Sequence, residues 1–418
     1  MLKSKNAIRL KPYFYPKQQP SNRLKAVTGS LEDKILLCCA RTAIDTNTVE
    51  SLRVLLDKNI AWPTLIQSAI HHRIIPLLYH NLKKIDDVNI PENPLQKLQY
   101  LYGIIANHNL FLTAQLIQLI ELFRAEHIAV IPYKGPTLAV KAYGNLCLRQ
   151  FGDLDILVHS RDYPRAIKFL SRHGFQLDKD WGWECSLVDR TRRVCVDIHR
   201  ALAPRSTFPI HLDVERFWMR LTPVSMAAGK MSTFCTEDLL IVLCIQLSKD
   251  ASGQHPLRLS KLCDIAEVLR AHPGLDWDYI DAESGHLGCR RMVLLGLYLA
   301  RELLDAPGPE LPAHVTKATW LNDSAAYVCH KIFLPTGCSE KAILSSKAFH
   351  FKIRERWRDS LYPGFHTFKQ RLIPNDRDFA FLKLPPSLHF FYYFIRPVRL
   401  AKDYGLQALQ ALKKKILN

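Results

Sequence analysis

At 418 residues the chain exceeds one ordinary core, so two to three domains are expected. A hydrophobic share of 48% against 23% charged fits a soluble globular protein, and its longest apolar runs, 239–247 and 292–300, are about half of the roughly 18–20 residues a membrane span needs. The net charge of +18 favours polyanions as partners, and eleven scattered cysteines with no C-x-x-C pair argue against a disulfide framework or a zinc ribbon.

Residues 1–28 carry seven Lys/Arg, no acid and no periodicity, and read as a basic, poorly ordered tail. They contain no apolar h-region, so a cytoplasmic protein is expected. From 29 to 125 the pattern is helical: "ESLRVLLDKNI", "WPTLIQSAIHHRIIPLLYHNLKKI" and "LFLTAQLIQLIELFRAEH" place apolar residues three and four apart. His71 and His72 lie in this region with no carboxylate or cysteine at ligand spacing, and read as structural.

The texture changes near 126, where a core is expected to extend to 222. "IAVIPY" reads as a strand, and "KGPTLAVKAYG" as a turn and a helix with Pro136 at its first position and Gly144 as its stop. A strand is expected over 153–159, then a helix in "SRDYPRAIKFLSRHG" closed by Gly174. "WGWECSLVDRTRRVCVDIHRAL" reads as a hairpin turning near Asp189–Thr191. A helical domain, 223–310, contains "TEDLLIVLCIQLSK", "RLSKLCDIAEVLRAH" and "CRRMVLLGLYLARELL"; residues 311–418 are basic and aromatic. The whole predicts an α+β fold: a small mixed sheet with helices on it, flanked by N- and C-terminal helical regions.

Within "LRQFGDLDILVHS", strand alternation puts Asp153, Asp155 and Leu157 on one face and Leu154, Ile156 and Val158 on the core face. Two carboxylates together in an apolar strand repel each other unless a cation lies between them. Mg²⁺ or Mn²⁺ meets that need, since Mg²⁺ takes one or two carboxylates and substrate phosphates. Relief of this repulsion is expected to make Asn at either position neutral or slightly stabilising. In "VCVDIHR", Val194, Val196 and Ile198 read as buried, which turns Cys195, Asp197 and His199 the other way. If that strand lies beside the first, Asp197 joins the two acids in a two-metal site. Lys134 and Arg149 are assigned to a nucleoside triphosphate, with Gly135 and Gly152 allowing its close approach and the helix opening at Pro136 offering free N–H groups.

"YKGPTLAVKAYGNLCLRQFGDLDILV" followed by "VDIHRAL" resembles the uncharacterised nucleotidyltransferase family of the polymerase-β-like superfamily, with weaker similarity in "HHRIIPLLY" and "LSKLCDIAEVLR". The resemblance implies a nucleotidyltransferase core whose first metal-binding strand carries Asp153 and Asp155, with Asp197 as the third acid on a later strand. The superfamily's usual Gly-Ser is replaced here by Lys134-Gly135.

The function expected is metal-dependent transfer of a nucleoside monophosphate from an NTP to an acceptor hydroxyl, with pyrophosphate released. The acceptor is open among a small molecule, a sugar, an RNA end and a protein. Cys195 is no covalent nucleophile, because the neighbouring Asp197 disfavours its thiolate. A kinase reading fails: after Arg161-Asp162 the fifth residue on is Ile167 rather than Asn, and no D-F-G follows. The alternative is a degenerate module that binds nucleic acid or an anionic membrane surface through its basic termini. "FKIRERWRDSLYPGFHTFKQR" at 351–371 and "LHFFYYFIRPVRLAKDYG" at 388–405 mix aromatics and cations as that reading requires.

Overall fold

In the computed structural model, which describes residues 29–85, 90–191, 193–204, 214–226, 229–253, 255–333, 341–356, 385–394 and 396, the chain builds one mixed sheet in the order β1-β2-β5-β4-β3. The strands are β1 Val130–Pro132, β2 Leu154–Val158, β3 Gln176–Asp180, β4 Glu184–Val188 and β5 Cys195–His199. β1 is antiparallel to β2, β2 parallel to β5, and β4 antiparallel to both β5 and β3. The fold is therefore the expected α+β class, with helices around a small mixed sheet.

The alternation in β2 and β5 decides which face is core. Leu154, Ile156 and Val158 join Val196 and Ile198 in one buried cluster with Phe123, Phe169 and Leu170. Phe123 ends a long helix, Glu92–Ala125, and Phe169 and Leu170 come from the helix Tyr163–Arg172 that connects β2 to β3. The opposite face of β2 is covered as well: Asp155 and Leu157 are both buried. A hairpin of β6 Thr222–Met226 and β7 Gly229–Thr233 adds Val224, Met226 and Met231 to the same core, and Thr233 Oγ1 donates to the Pro132 carbonyl at 2.7 Å.

Several elements have no counterpart in the sequence reading. β3 is an exposed edge strand along its whole length, so it lacks the apolar alternation that marks a half-buried strand. The β6–β7 hairpin and the helices Trp277–Leu287 and Thr319–Phe333 are among the others.

Helices frame the sheet on both sides in sequence. Four short ones precede the long helix: α1 Leu31–Cys39, α2 Thr46–Leu56, α3 Trp62–His72 and α4 Ile75–Leu82. Ser30 and Asp45 cap the first two, their side chains accepting from Asp33 N–H at 3.0 Å and Thr48 N–H at 2.8 Å. The expected helix after "YK" is present as Gly135–Tyr143, with Gly144 left-handed at its end (φ 65°). Downstream, Thr236–Ser252, Ser260–Ala271 and Arg290–Leu304 match the three expected helices and are heavily buried. All ten cysteines among the described residues are free thiols.

Described residues 29–356 form one compact unit. Residues 385–394 and 396 belong to a second, in which a 3₁₀ turn, Pro386–Phe391, leaves Phe390 and Phe391 exposed. The tail 1–28 and most of the segments 351–371 and 388–405 lie outside the described residues. In the part of 351–371 that is described, Glu355 accepts from the Arg291 backbone N–H at 2.7 Å and Arg356 donates to the His286 carbonyl at 2.7 Å.

His72 shows what the first histidine pair does. It is buried, and its Nδ1 accepts from the Leu259 backbone N–H at 3.2 Å, which ties the end of α3 to the turn before Ser260. Burial, reinforced by His71, pushes its pKa down to about 4. The folded protein thus holds His72 neutral where the unfolded chain takes up a proton, so its contribution is full above pH ~6.5 and fades as pH falls toward 4. The loss is on the order of 3 kcal/mol. Denaturant titrations at several pH values should show that decline in the parent and a flatter profile in His72→Asn, whose side-chain oxygen can accept the same N–H.

Candidate active site

β2 and β5 run parallel in a register that pairs Asp155 with Asp197 and Leu157 with His199. Parallel neighbours are about 4.8 Å apart, so the two acids stand side by side on the face opposite the apolar core. Asp153 lies just before β2 on the same side, half-buried, with exposed Gly152 before it. The structure therefore brings together the three acids expected from sequence.

Their surroundings differ sharply. Asp155 is 7% exposed and is held by two cations: Lys134 Nζ donates to its Oδ1 at 2.7 Å, and His199 Nε2 lies 3.1 Å from the same oxygen. On its other side the His199 ring places Nδ1 3.3 Å from Glu184 Oε2. Glu184, His199, Asp155 and Lys134 thus form a continuous chain of alternating charge. Burial opposes ionisation of Asp155, but Lys134 and His199 outweigh it and hold the carboxyl well below the usual range. The same balance runs the other way for the cations: burial disfavours charged Lys134 and charged His199, and their acidic partners overcome it, which shifts both toward the protonated form.

The expectation of relieved repulsion at Asp155 is accordingly corrected. The strand does contain like charges, but Asp155 is the anion of a buried ion pair, and its loss strands two buried cations.

Asp197 has the opposite character. Ser186 Oγ donates to its Oδ1 at 2.5 Å. Burial, then the charges of Asp155 and Asp153, push its pKa up to about 6. Cys195 Sγ lies 3.6 Å from the same oxygen, and burial together with Asp197 pushes the thiol up to about 12, consistent with an unreactive group. Asp153 makes no hydrogen bond or ion pair with a described residue.

The remaining expected site residues are placed as follows. Gly135 has φ 53°, and a Cβ there would meet the Asp153 carbonyl at 3.3 Å, so the glycine lets the helix start pack against β2. A Cβ at Gly152 would meet nothing within 4 Å, which leaves the approach to Asp153 open. Arg149 Nε and Nη2 donate to Asp264 Oδ1 and Oδ2 at 2.7 and 2.9 Å, and Tyr143 donates its hydroxyl to that Oδ1 at 2.8 Å. Its Nη1 is buried and has no hydrogen-bond partner.

Several residues here escaped sequence reasoning. Asp264 sits inside "KLCDIAEVL", where helical periodicity hides it as one more polar position. Glu184 and Ser186 stand on β4 opposite His199 and Asp197, a pairing that only the hairpin register reveals. Lys249 stacks over the Trp183 ring at 5.0 Å and is paired with Asp250, which also takes Lys261 at 3.0 Å.

Among the described residues no three His, Cys, Asp or Glu side chains close on one point as a metal cage. Mg²⁺ does not require one, because it keeps waters and takes phosphate oxygens beside one or two carboxylates. An unengaged Asp153 and an Asp197 whose proton affinity is raised by neighbouring acids are donors of that kind. The donor set fits a divalent cation that shares its coordination with a substrate.

A small mixed sheet carrying acids on two adjacent parallel strands, with a Lys-Gly turn against them, is the core of a nucleotidyltransferase-type protein. Residues 58–305 match the family model described as uncharacterised nucleotidyltransferase, more than half of the chain, and the chain belongs to that family. No curated protein matches it. Among the described residues no helix is long and apolar enough to cross a membrane.

Asp153 and Asp155 should separate cleanly in stability measurements made without metal. Asp155→Asn leaves Lys134 and His199 buried without their anion and is expected to cost about 3–5 kcal/mol. Asp153→Asn is expected to change stability by less than about 0.5 kcal/mol. Urea unfolding of both variants checks this, and equal stabilities would show that the Asp155 ion pairs contribute nothing.

Proposed function

We propose that the protein is a metal-dependent nucleotidyltransferase that moves a nucleoside monophosphate from an NTP to an acceptor hydroxyl and releases pyrophosphate. The observation that carries this reading is the paired register of Asp155 and Asp197 on adjacent parallel strands, with Asp153 open beside them. Asp153, Asp155 and Asp197 are the residues that would hold Mg²⁺ or Mn²⁺. The cation, when bound, supplies neutralisation of phosphate charge and a lowered pKa for the attacking hydroxyl.

The chain's own residues then have distinct tasks. Lys134 and His199 keep Asp155 ionised and fix its rotamer, so the carboxylate is ready before any cation arrives. Asp197, beside Asp155 and oriented by the Ser186 hydroxyl, is placed to receive the acceptor's proton. Gly152 leaves the approach to Asp153 clear of side chains. Lys134 faces Asp155 here, and its contribution to the phosphates is electrostatic, through the charge it places under them. Positioning and charge stabilisation supply most of the acceleration in such displacements.

The acceptor class we propose is a hydroxyl on a small molecule, a sugar, an RNA end or a protein, met at the open side of Asp153. The test is incubation of the full chain with Mg²⁺ and NTPs labelled at either the α or the γ phosphorus, with candidate acceptors and cell extract. Label from the α position should enter a product while γ label leaves as pyrophosphate, and Asp153→Asn should abolish both. With a chiral α-thiophosphate nucleotide, direct transfer gives inversion at phosphorus. Release of γ label as orthophosphate, or retention of configuration, would contradict the proposal.

A further inference from the structure

Two arginines outside the sheet, one of them within electrostatic reach of the acids, have no acid of their own among the described residues. Arg73 ends helix α3 and Arg258 lies in the turn before the helix Ser260–Ala271. The hydrogen bond from Leu259 N–H to His72 Nδ1, 3.2 Å, fastens one segment to the other, so the adjacent residues Arg73 and Arg258 are brought together. Both are half-buried, and neither makes an ion pair with a described residue. Other inward-lying arginines of this unit are matched: Arg149 with Asp264, Arg41 with Asp305, Arg290 with Asp281 and Arg270 with Glu267.

Arg73 is also costly where it stands. Its φ of 57° is left-handed, a conformation in which glycine closes a helix with less strain than any branched or long side chain. The position therefore keeps a guanidinium at the expense of backbone energy. Burial makes the charge less favourable still, and Arg258 and Arg149 add repulsion, while Asp153 and Asp155 oppose it, so Arg73 lies within electrostatic reach of both the other guanidiniums and the acids. Arg149 Nη1 is buried and unbonded, with its guanidinium held by Asp264.

We propose that Arg73 and Arg258, together with Arg149, form the seat for the β- and γ-phosphates of the nucleotide. The inference rests on the nucleotidyltransferase reading for its substrate and adds where the leaving pyrophosphate is held. Two guanidiniums without an ion-pair partner among the described residues, beside Arg149 with one nitrogen left unbonded, match a polyphosphate, whose several charged oxygens accept forked N–H donors. Orthophosphate, with fewer oxygens, can engage only part of the seat.

The left-handed position provides a variant that removes the side chain without harming the fold. Arg73→Gly should melt at or above the parent's temperature. Calorimetric titration of the full chain with inorganic tripolyphosphate should show about tenfold weaker binding in Arg73→Gly and in Arg258→Gln, and loss of the parent's preference over orthophosphate. Arg258→Lys should recover only part of the affinity. Variants that bind tripolyphosphate like the parent, or a parent that does not bind it, overturn the seat. The labelled-nucleotide assay reports separately on the reaction. Transfer by the parent with unchanged tripolyphosphate binding in both variants overturns the seat alone. Arginine-dependent tripolyphosphate binding without any transfer keeps the seat and overturns the reaction.

Discussion

Asp155 sits on an interior strand of the sheet with almost no access to water, in a place where an unpaired carboxylate would be too costly to keep ionised. Lys134 from the turn before the helix Gly135–Tyr143 and His199 from the end of β5 meet it there, and Glu184 on β4 steadies His199 in turn. Four separate segments are thereby tied to one oxygen-rich point. The lysine turn cannot shift, β5 cannot slip against β2, and β4 must hold its register on β5. The same arrangement gives Asp155 internal counter-ions, which offset the cost of a buried carboxylate on that strand.

The division of labour among the acids follows from their partners rather than from their residue type. Asp155 is over-compensated by cations and stays charged. Asp197 is under-compensated, with a serine hydroxyl and two carboxylate neighbours, and its proton affinity rises to about 6. Environments that push chemically identical groups apart are what acid–base chemistry near neutral pH requires. Arg73 and Arg258, which have no ion-pair partner among the described residues, extend this logic to the other sign in the proposed phosphate seat.

Much of the core was legible because strands report themselves through alternation. Leu154, Ile156 and Val158 against Asp153 and Asp155, and Val194, Val196 and Ile198 against Asp197, fixed which side is apolar and which is chemical. The helix at Pro136 and its stop at Gly144 were equally plain from local rules. What stayed hidden depends on contacts between distant segments. Arg149 stands four residues before Asp153, yet its fork is taken by Asp264, 115 positions away. Lys134 is separated from Asp155 by 21 positions, and nothing local distinguishes an ion pair there from a phosphate contact. β3 was invisible because an exposed edge strand has no burial pattern. Arg73 offered only an ordinary basic residue in "HHRIIPLLY" until its left-handed backbone and its proximity to the acids were seen.

The central claim is that the acids of β2 and β5 form a cation site completed by nucleotide. Electron paramagnetic resonance of Mn²⁺ added to the full chain, with and without a non-hydrolysable NTP analogue, tests it most directly. The account predicts weak Mn²⁺ binding alone, tight binding in the presence of the analogue, and loss of the tight site in Asp153→Asn. Tight Mn²⁺ binding that ignores both the nucleotide and Asp153, or no nucleotide-dependent site at all, would contradict it.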